Sequence, residues 1–255
     1  MEIRVETTVG GHVSTRSVSV TMRTPGQDFE LAAGFLFSEG ILGGREELRE
    51  ITYCQTGETQ EYNVVTVRFR EEVALDPELL TRNFYTSSSC GVCGKGTLEA
   101  VGVRGCRALP DGTLVLDPSL IPRLPEFLLD GQKGFKRSGG LHAAGLFDVD
   151  GEALALREDV GRHNAVDKVV GQALLEGGIP LLDRILVVSG RTSFEILQKA
   201  VAAGIPAVVA VGAPSTLAVE LAKEFNVTLI GFARAQRFNL YAGGARVPDW
   251  EGERR

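Results

Sequence analysis

Three short apolar runs in the second half of the chain constrain its fold more than any other feature. Residues 185–188 (Ile-Leu-Val-Val), 207–211 and 227–232 are apolar almost throughout instead of alternating with polar residues. Strands of that kind are buried on both faces. The segments 165–176, 194–203 and 214–225 carry apolar residues at helical spacing, the last with Pro214 in its first turn. Buried strands alternating with helices predict an α/β unit, a mostly parallel sheet covered on both faces.

The first half follows a different pattern. Residues 1–24 alternate apolar and polar side chains (Ile3, Val5; Val18, Val20, Met22), as half-buried antiparallel strands do. Thr24-Pro25-Gly26 reads as a turn, and Asp28 stands in the place of a helix N-cap. Leu31, Ala32, Phe35 and Leu36 follow at helical spacing, and Gly40 ends the run. Strands are expected at 51–54 and 62–70, and a weak helix from Gly96. Pro110, Pro118, Pro122 and Pro125 punctuate the middle of the chain. The expected organisation is a small α+β domain over residues 1–108, ending in a Cys-x-x-Cys loop, and a larger α/β domain over 109–255. The N-terminal strands have the option of pairing with the larger domain. A mobile charged tail is expected after Pro248.

A chain of 255 residues buries roughly 70–75% of its unfolded surface and needs no disulfide or metal staple. The net charge of −6 argues against a nucleic-acid or membrane-surface binder, leaving room for a local basic pocket. The opening residues Met1-Glu2-Ile3-Arg4-Val5-Glu6 contain no signal-peptide run, and no stretch reaches the roughly 20 apolar residues of a membrane span. A cytoplasmic location with reduced thiols is therefore expected. Four cysteines with one close pair do not make a secreted disulfide framework.

That close pair lies in Ser87-Ser88-Ser89-Cys90-Gly91-Val92-Cys93-Gly94-Lys95-Gly96. Two thiols on a small, polar, glycine-rich segment point to chemistry, since structural cysteines sit in cores. Three readings stay open. A structural zinc at Cys90 and Cys93 needs two more ligands, and only Cys54 and Cys106 remain as sulfur donors, with no second Cys-x-x-Cys. A thioredoxin-like site needs an apolar strand before the pair and a firm helix start after it. The third reading is a carrier loop, in which a thiolate takes a sulfane sulfur and hands it on, with Lys95 favouring the thiolate.

Polar loops follow the apolar runs. Ser189-Gly190-Arg191-Thr192-Ser193, Gly212-Ala213-Pro214-Ser215-Thr216 and Phe232-Ala233-Arg234-Ala235-Gln236-Arg237 come after the three predicted strands. Ligands bind beyond the carboxyl ends of such strands, where helix N-termini receive anions. Arg191, Arg234 and Arg237 would complete a pocket for a nucleotide diphosphate; ordinary helix capping is the competing explanation for each loop. Neither a dinucleotide glycine fingerprint nor a P-loop lysine is present in the sequence. In Glu158-Asp159-Val160-Gly161-Arg162-His163-Asn164, either Asp159 or Asn164 caps a helix, or Arg162 and His163 reach the pocket rim. His142, among the small residues of Gly139-Gly140-Leu141-His142-Ala143-Ala144, reads either as a core histidine or as a ligand contact.

Taken together, several of these stretches resemble one family. They are Arg23-Thr24-Pro25-Gly26-Gln27-Asp28, Leu31-Ala32-Ala33-Gly34-Phe35-Leu36, the thiol motif, the His142 segment, residues 157–168, residues 189–195 and Gly231-Phe232-Ala233-Arg234. In this order they are similar to FdhD, the formate dehydrogenase accessory sulfurtransferases. The resemblance implies transfer of persulfide sulfur from a cysteine desulfurase to the molybdenum or tungsten bis(molybdopterin guanine dinucleotide) cofactor of formate dehydrogenase. It implies a persulfide on Cys90, support from Cys93, a homodimer, and a cofactor site that GDP-like nucleotides also occupy. By that resemblance Phe232, Ala233, Arg234, Ala235, Gln236 and Arg237 contact the guanine dinucleotide, and Gly190, Arg191, Thr192, Ser193, His142, Arg162 and His163 belong to the same site. The larger domain is expected to be similar to the three-layer cytidine deaminase fold, but Ala143 and Ala144 follow His142 where a deaminase needs its His-x-Glu. No zinc site and no deamination are expected. A non-catalytic chaperone that binds the cofactor is the alternative function.

Overall fold

A computed structural model of the chain describes residues 1–54, 62–71, 73, 106–112, 114–235, 237–248 and 250. The alternation near the N-terminus becomes a hairpin of β1 (Glu2–Val9) and β2 (His12–Val20), with Ile3, Val5 and Val18 buried. Helix α1 (Asp28–Ser38) follows, then β3 (Leu48–Tyr53) and β4 (Val64–Phe69). These strands form one sheet in the order β2-β1-β4-β3, separate from the second sheet. Asp28 is not the cap of α1. Gln27 takes that position with a left-handed backbone (φ 54°), and Asp28 begins the helix. The Asp28 carboxylate accepts instead from Arg23 at 2.9 Å and from the Tyr53 hydroxyl at 3.2 Å.

The proline-rich stretch holds helices that the sequence reading missed: a short 3₁₀ turn (Ile121–Arg123), α2 (Leu124–Gly131) and α3 (Lys133–Ser138). Pro122 and Pro125 stand at helix starts, where a missing N–H costs nothing. Beyond them come β5 (His142–Phe147), β6 (Ala153–Asp159), α4 (Arg162–Glu176), β7 (Ile185–Val188), α5 (Phe194–Ala202), β8 (Ala207–Ala210), α6 (Thr216–Glu224), β9 (Thr228–Arg234) and β10 (Arg237–Ala242). Pro214 is not in the first turn of α6. Ser215 is the cap, its hydroxyl accepting from Ala218 N, and Pro214 precedes it.

The second sheet runs β10-β9-β8-β7-β5-β6. Only β7, β8 and β9 pair in parallel; β5, β6 and β10 join antiparallel, so the sheet is mixed and not mostly parallel. Short turns make β5–β6 and β9–β10 antiparallel hairpins, and the helical α4 connection returns β7 parallel to β6 and therefore antiparallel to β5. The double-sided burial expected of the apolar runs is observed. Leu186, Val188, Val208, Ala210 and Leu229 pack with α4, α5 and α6 on one face, and Ile185, Val187, Ala207, Val209 and Ile230 pack with α2 on the other. The result is a three-layer α/β/α unit. Trp250 does not belong to a loose tail: its ring stacks on Phe238, centroids 5.2 Å apart.

Helix α1 lies between the first sheet and α4. A Cβ on Gly34 would stand 1.9 Å from the Asp167 carbonyl oxygen, and one on Gly171 would stand 1.8 Å from that of Glu30. Glycine at both positions lets the two helix backbones touch. The first sheet is thereby held against the second unit through a helix that buries Leu31, Ala32, Ala33 and Leu36. Among the described residues, no helix is long and apolar enough to cross a membrane.

Candidate functional site

Three consecutive charged residues at the end of β6 organise the surroundings of the site. Arg157 makes two hydrogen bonds to the Glu30 carboxylate on α1. Glu158 accepts from the backbone N–H groups of Gly134 and Phe135, both at 2.7 Å, and so closes the N-terminus of α3. Asp159 is fully buried. It accepts from Thr24 N at 3.0 Å, Gly161 N at 2.9 Å and Asn164 Nδ2 at 3.0 Å, and pairs with Lys168 Nζ at 2.8 Å. Lys168, equally buried, also donates to the Thr24 and Glu158 carbonyls. Neither Asp159 nor Asn164 caps α4. Gly161 holds that position without a side-chain bond, and Asn164 reaches Met22 O at 2.8 Å. Most of this polar cluster therefore ties the N-terminal segment to the second unit, a role that its sequence left undecided.

Arg162 and His163 face the strand ends. The Cα of Gly190 lies between His142 and Arg162: a Cβ there would meet His142 Nδ1 at 3.5 Å and Arg162 Cδ at 3.7 Å. His163 Nε2 is 3.0 Å from Ser193 Oγ, with the Glu195 carboxylate 3.9 Å away. Burial first, then the charges of Lys199 and Arg162, push the His163 pKa down to about 4, so its ring is neutral near pH 7. Burial, then Arg162, lowers His142 as well. Behind them, Lys199 pairs with buried Asp167 at 2.7 Å, and burial raises the Asp167 pKa to about 6.

The three polar loops lie side by side. Gly212 N donates to Gly190 O, Thr192 N to Ala213 O, Ser215 N to Thr192 O, and Phe232 N to Gly212 O. A Cβ on Gly212 would approach the Arg191 backbone to 3.0 Å, so this close stitching requires glycine. Thr192 is entirely buried within the seam, while Arg191 is exposed. Between the pairs Arg237–Arg234 and Asn239–Gly231 the β9–β10 ladder shifts register, so β9 carries one extra residue there. Phe232, half of that bulge, has φ 53°, and Ala235 has φ 51°. Bulky residues rarely adopt this backbone, which costs of order 1–3 kcal/mol and clusters at functional sites.

Next to this strained turn opens a cleft of about 570 Å³. Its lining includes Leu141, His142, Ser189, Ala233, Arg234 and Ala235 around the strand ends, and Glu126, Leu128, Gln132 and Phe135 from α2, α3 and their junction. The fold thus gathers four of the residues singled out from the sequence around one cavity, with Gly190 and Arg162 adjoining His142. Ser193 and His163 bond each other just beyond. Phe232 and Arg237 are exposed and do not line it. Gln236, Cys90 and Cys93 lie outside the described residues. Sequence reasoning missed Gln132 and Phe135, which follow the proline-punctuated middle of the chain and carry no motif of their own.

The order of these loops along the chain is matched across nearly its whole length by one family. Residues 4–248 match the model of the FdhD/NarQ family. The chain belongs to that family. It is 53% identical over 237 residues to the sulfur carrier protein FdhD of Streptomyces avermitilis, covering 91% of this chain and 84% of that one. It is 50% identical over 256 residues to the sulfur carrier protein FdhD of Mycolicibacterium paratuberculosis, covering 97% and 90%. Among solved structures, a candidate formate dehydrogenase accessory protein from Desulfotalea psychrophila superposes with a TM-score of 0.66 at 25% identity, covering 97% of this chain and 89% of that one. This FdhD/NarQ chain shares its mixed α/β architecture of two sheets with that neighbour.

Proposed function

We propose that this protein carries sulfur from a cysteine desulfurase to the bis(molybdopterin guanine dinucleotide) molybdenum or tungsten cofactor destined for formate dehydrogenase. The observation that carries the reading is the cleft at the strand ends, largely apolar and lined by Arg234 and His142, in a chain whose relatives are named sulfur carriers. Of these, Arg234 would pair with the diphosphate of a guanine dinucleotide arm, and neutral His142 would donate or accept a hydrogen bond there without adding charge. Two copies of the chain would offer one cleft to each arm of the cofactor.

The sulfur step falls to Cys90. Its thiolate attacks the outer sulfur of the desulfurase persulfide, the S–S bond of the donor breaks, and the desulfurase cysteine leaves as thiolate. Cys93 then attacks the Cys90 sulfur, forming a disulfide as the outer sulfur departs as hydrosulfide toward the metal of the bound substrate. Both steps conserve electrons, and the second leaves an oxidised pair that a cellular dithiol must reduce.

Incubation with a cysteine desulfurase and cysteine, followed by mass spectrometry, tests this directly. One added sulfur on the peptide containing Cys90 is expected in the wild type and in Cys93→Ala, and none in Cys90→Ala. A Cys90→Ala protein that still supports active formate dehydrogenase in cells would overturn sulfur carriage in favour of a chaperone that only binds the cofactor.

A further inference from the structure

Helix α3 forms one side of the cleft, through Phe135 and through Gly139, Gly140 and Leu141, which lead out of it. Yet α3 buries none of its own residues. A segment with so little buried surface opens locally at small cost. Among the described residues, two side chains tie it to its surroundings by hydrogen bonds. The Glu158 carboxylate accepts from Gly134 N and Phe135 N, one oxygen to each, and Lys136 Nζ donates to Asp130 O on the exposed side. The Ser138 hydroxyl bonds inside α3, to Gly134 O. The post that holds α3 is itself fixed: Glu158 stands between Arg157, bonded to Glu30, and Asp159, which is fully buried.

Both ends of α3 are able to turn. At its start, Gln132 breaks the helical geometry between α2 and α3 (φ −77°, ψ 83°). At its end, Gly139 is left-handed (φ 67°) and Gly140 follows. The Gly139 backbone favours glycine, but nothing in this structure requires it at Gly140. Its φ is outside the left-handed region, and the nearest atom to an added Cβ is Ser138 O at 4.0 Å. Glycine at such a place supplies freedom for a second arrangement. We propose that α3 is a lid on the strand-end cleft, latched by Glu158 and swinging on Gln132 and the Gly139–Gly140 pair. Opening breaks the two hydrogen bonds to Glu158 and lifts Phe135 off the cleft. Closing covers the ligand and shields it from water. The lid rests on the functional reading above only for what the cleft holds.

Amide hydrogen exchange resolved by NMR on the full chain tests the lid, with GDP as the probe ligand. In the free wild type, the Gly134 and Phe135 amides should exchange at least about tenfold faster than Leu128 and Leu129 in α2, because the lid opens without α2. Saturating GDP should slow the two lid amides by about tenfold. Gly140→Ala meets no neighbour in the closed state and restricts only the open one, so it should slow both amides about two- to fivefold. Glu158→Gln puts an amino group in place of one acceptor oxygen. Glu158 does not line the cleft, yet this change should speed GDP dissociation by about tenfold. Lid amides no faster than those of α2 would make α3 a fixed wall and overturn the proposal. So would unchanged exchange in Gly140→Ala, since a helix start that merely frays does not respond to a change beyond its far end. A wild type that fails to bind GDP overturns the nucleotide reading instead, and the lid is then decided by the free protein and Gly140→Ala.

Discussion

Substituting alanine for Gly171 should destabilise the protein although it improves the helix that carries it. In an exposed helix the change from glycine to alanine gains about 1 kcal/mol, because glycine is the less favourable helix residue. Here the new methyl would stand 1.8 Å from the Glu30 carbonyl oxygen, 2.7 Å from its carbon and 2.8 Å from Gly34 N. All three are backbone atoms, so no flexible side chain can swing aside. Restoring an ordinary carbon–oxygen contact of about 3.5 Å requires α1 and α4 to part by more than an ångström over their shared face. Overpacking of that kind typically costs 1–3 kcal/mol and more where the neighbour is rigid. A cost of about 3–4 kcal/mol against a gain of about 1 leaves a net loss of roughly 2–3 kcal/mol. For a chain of this size that lowers Tm by roughly 4–12 °C. Gly34→Ala faces the mirror contact with Asp167 O and should behave alike. Because either methyl alone already separates the helices, the double variant should cost less than the two single losses combined. Thermal melting and urea unfolding of the three variants provide the measurement. A single variant as stable as the wild type, or more so, would refute the reasoning, since propensity alone would then decide the outcome.

Other consequences follow from the buried charges. Lys168→Met leaves Asp159 ionised without its buried counter-ion and should cost about 3–5 kcal/mol in urea unfolding; a loss below 1 kcal/mol would mean that the three N–H donors to Asp159 suffice. His163 has a folded pKa near 4 against 6.5 in the unfolded chain, so its contribution is fully present above pH 6.5 and is lost as pH falls toward 4. Asp167, raised to about 6, acts oppositely between 3.8 and 6 and is common to both proteins in a comparison with His163→Gln. Unfolding at a series of pH values should therefore show a shallower acid loss in His163→Gln than in the wild type, and an identical slope would exclude His163 as its source.

The core of the second sheet was legible because nearly every residue of its central strands points into one of two apolar layers. Val187 and Val188 face opposite sides, one in each apolar layer. What escaped notice was written in residues of weak propensity. Ala143, Ala144 and Gly145 in β5 belong to a strand only because β6 and β7 pair with it on both sides. The 3₁₀ turn and α2 hid behind prolines that mark their starts and resemble breaks, and α3 follows α2 directly. The Asp28 cap failed because Arg23, five residues earlier, and the more distant Tyr53 claimed its carboxylate. At the candidate site, the loops after β7, β8 and β9 could be named from position alone. Their mutual stitching, and the entry of Gln132 from another layer, depend on contacts between residues far apart in the chain.

Arg157, Glu158 and Asp159 occupy three successive places on a strand at the outer margin of the second sheet. Each grips a different piece: α1, the start of α3 and the segment at Thr24. α3 carries Phe135, one wall of the cleft, and α1 carries the first sheet. The floor of the N-terminal layer and the wall of the cleft therefore hang from a single hinge post. A shift of that margin strand would be felt at both ends together, as a beam transmits load between two spans, without any side chain running directly from one to the other.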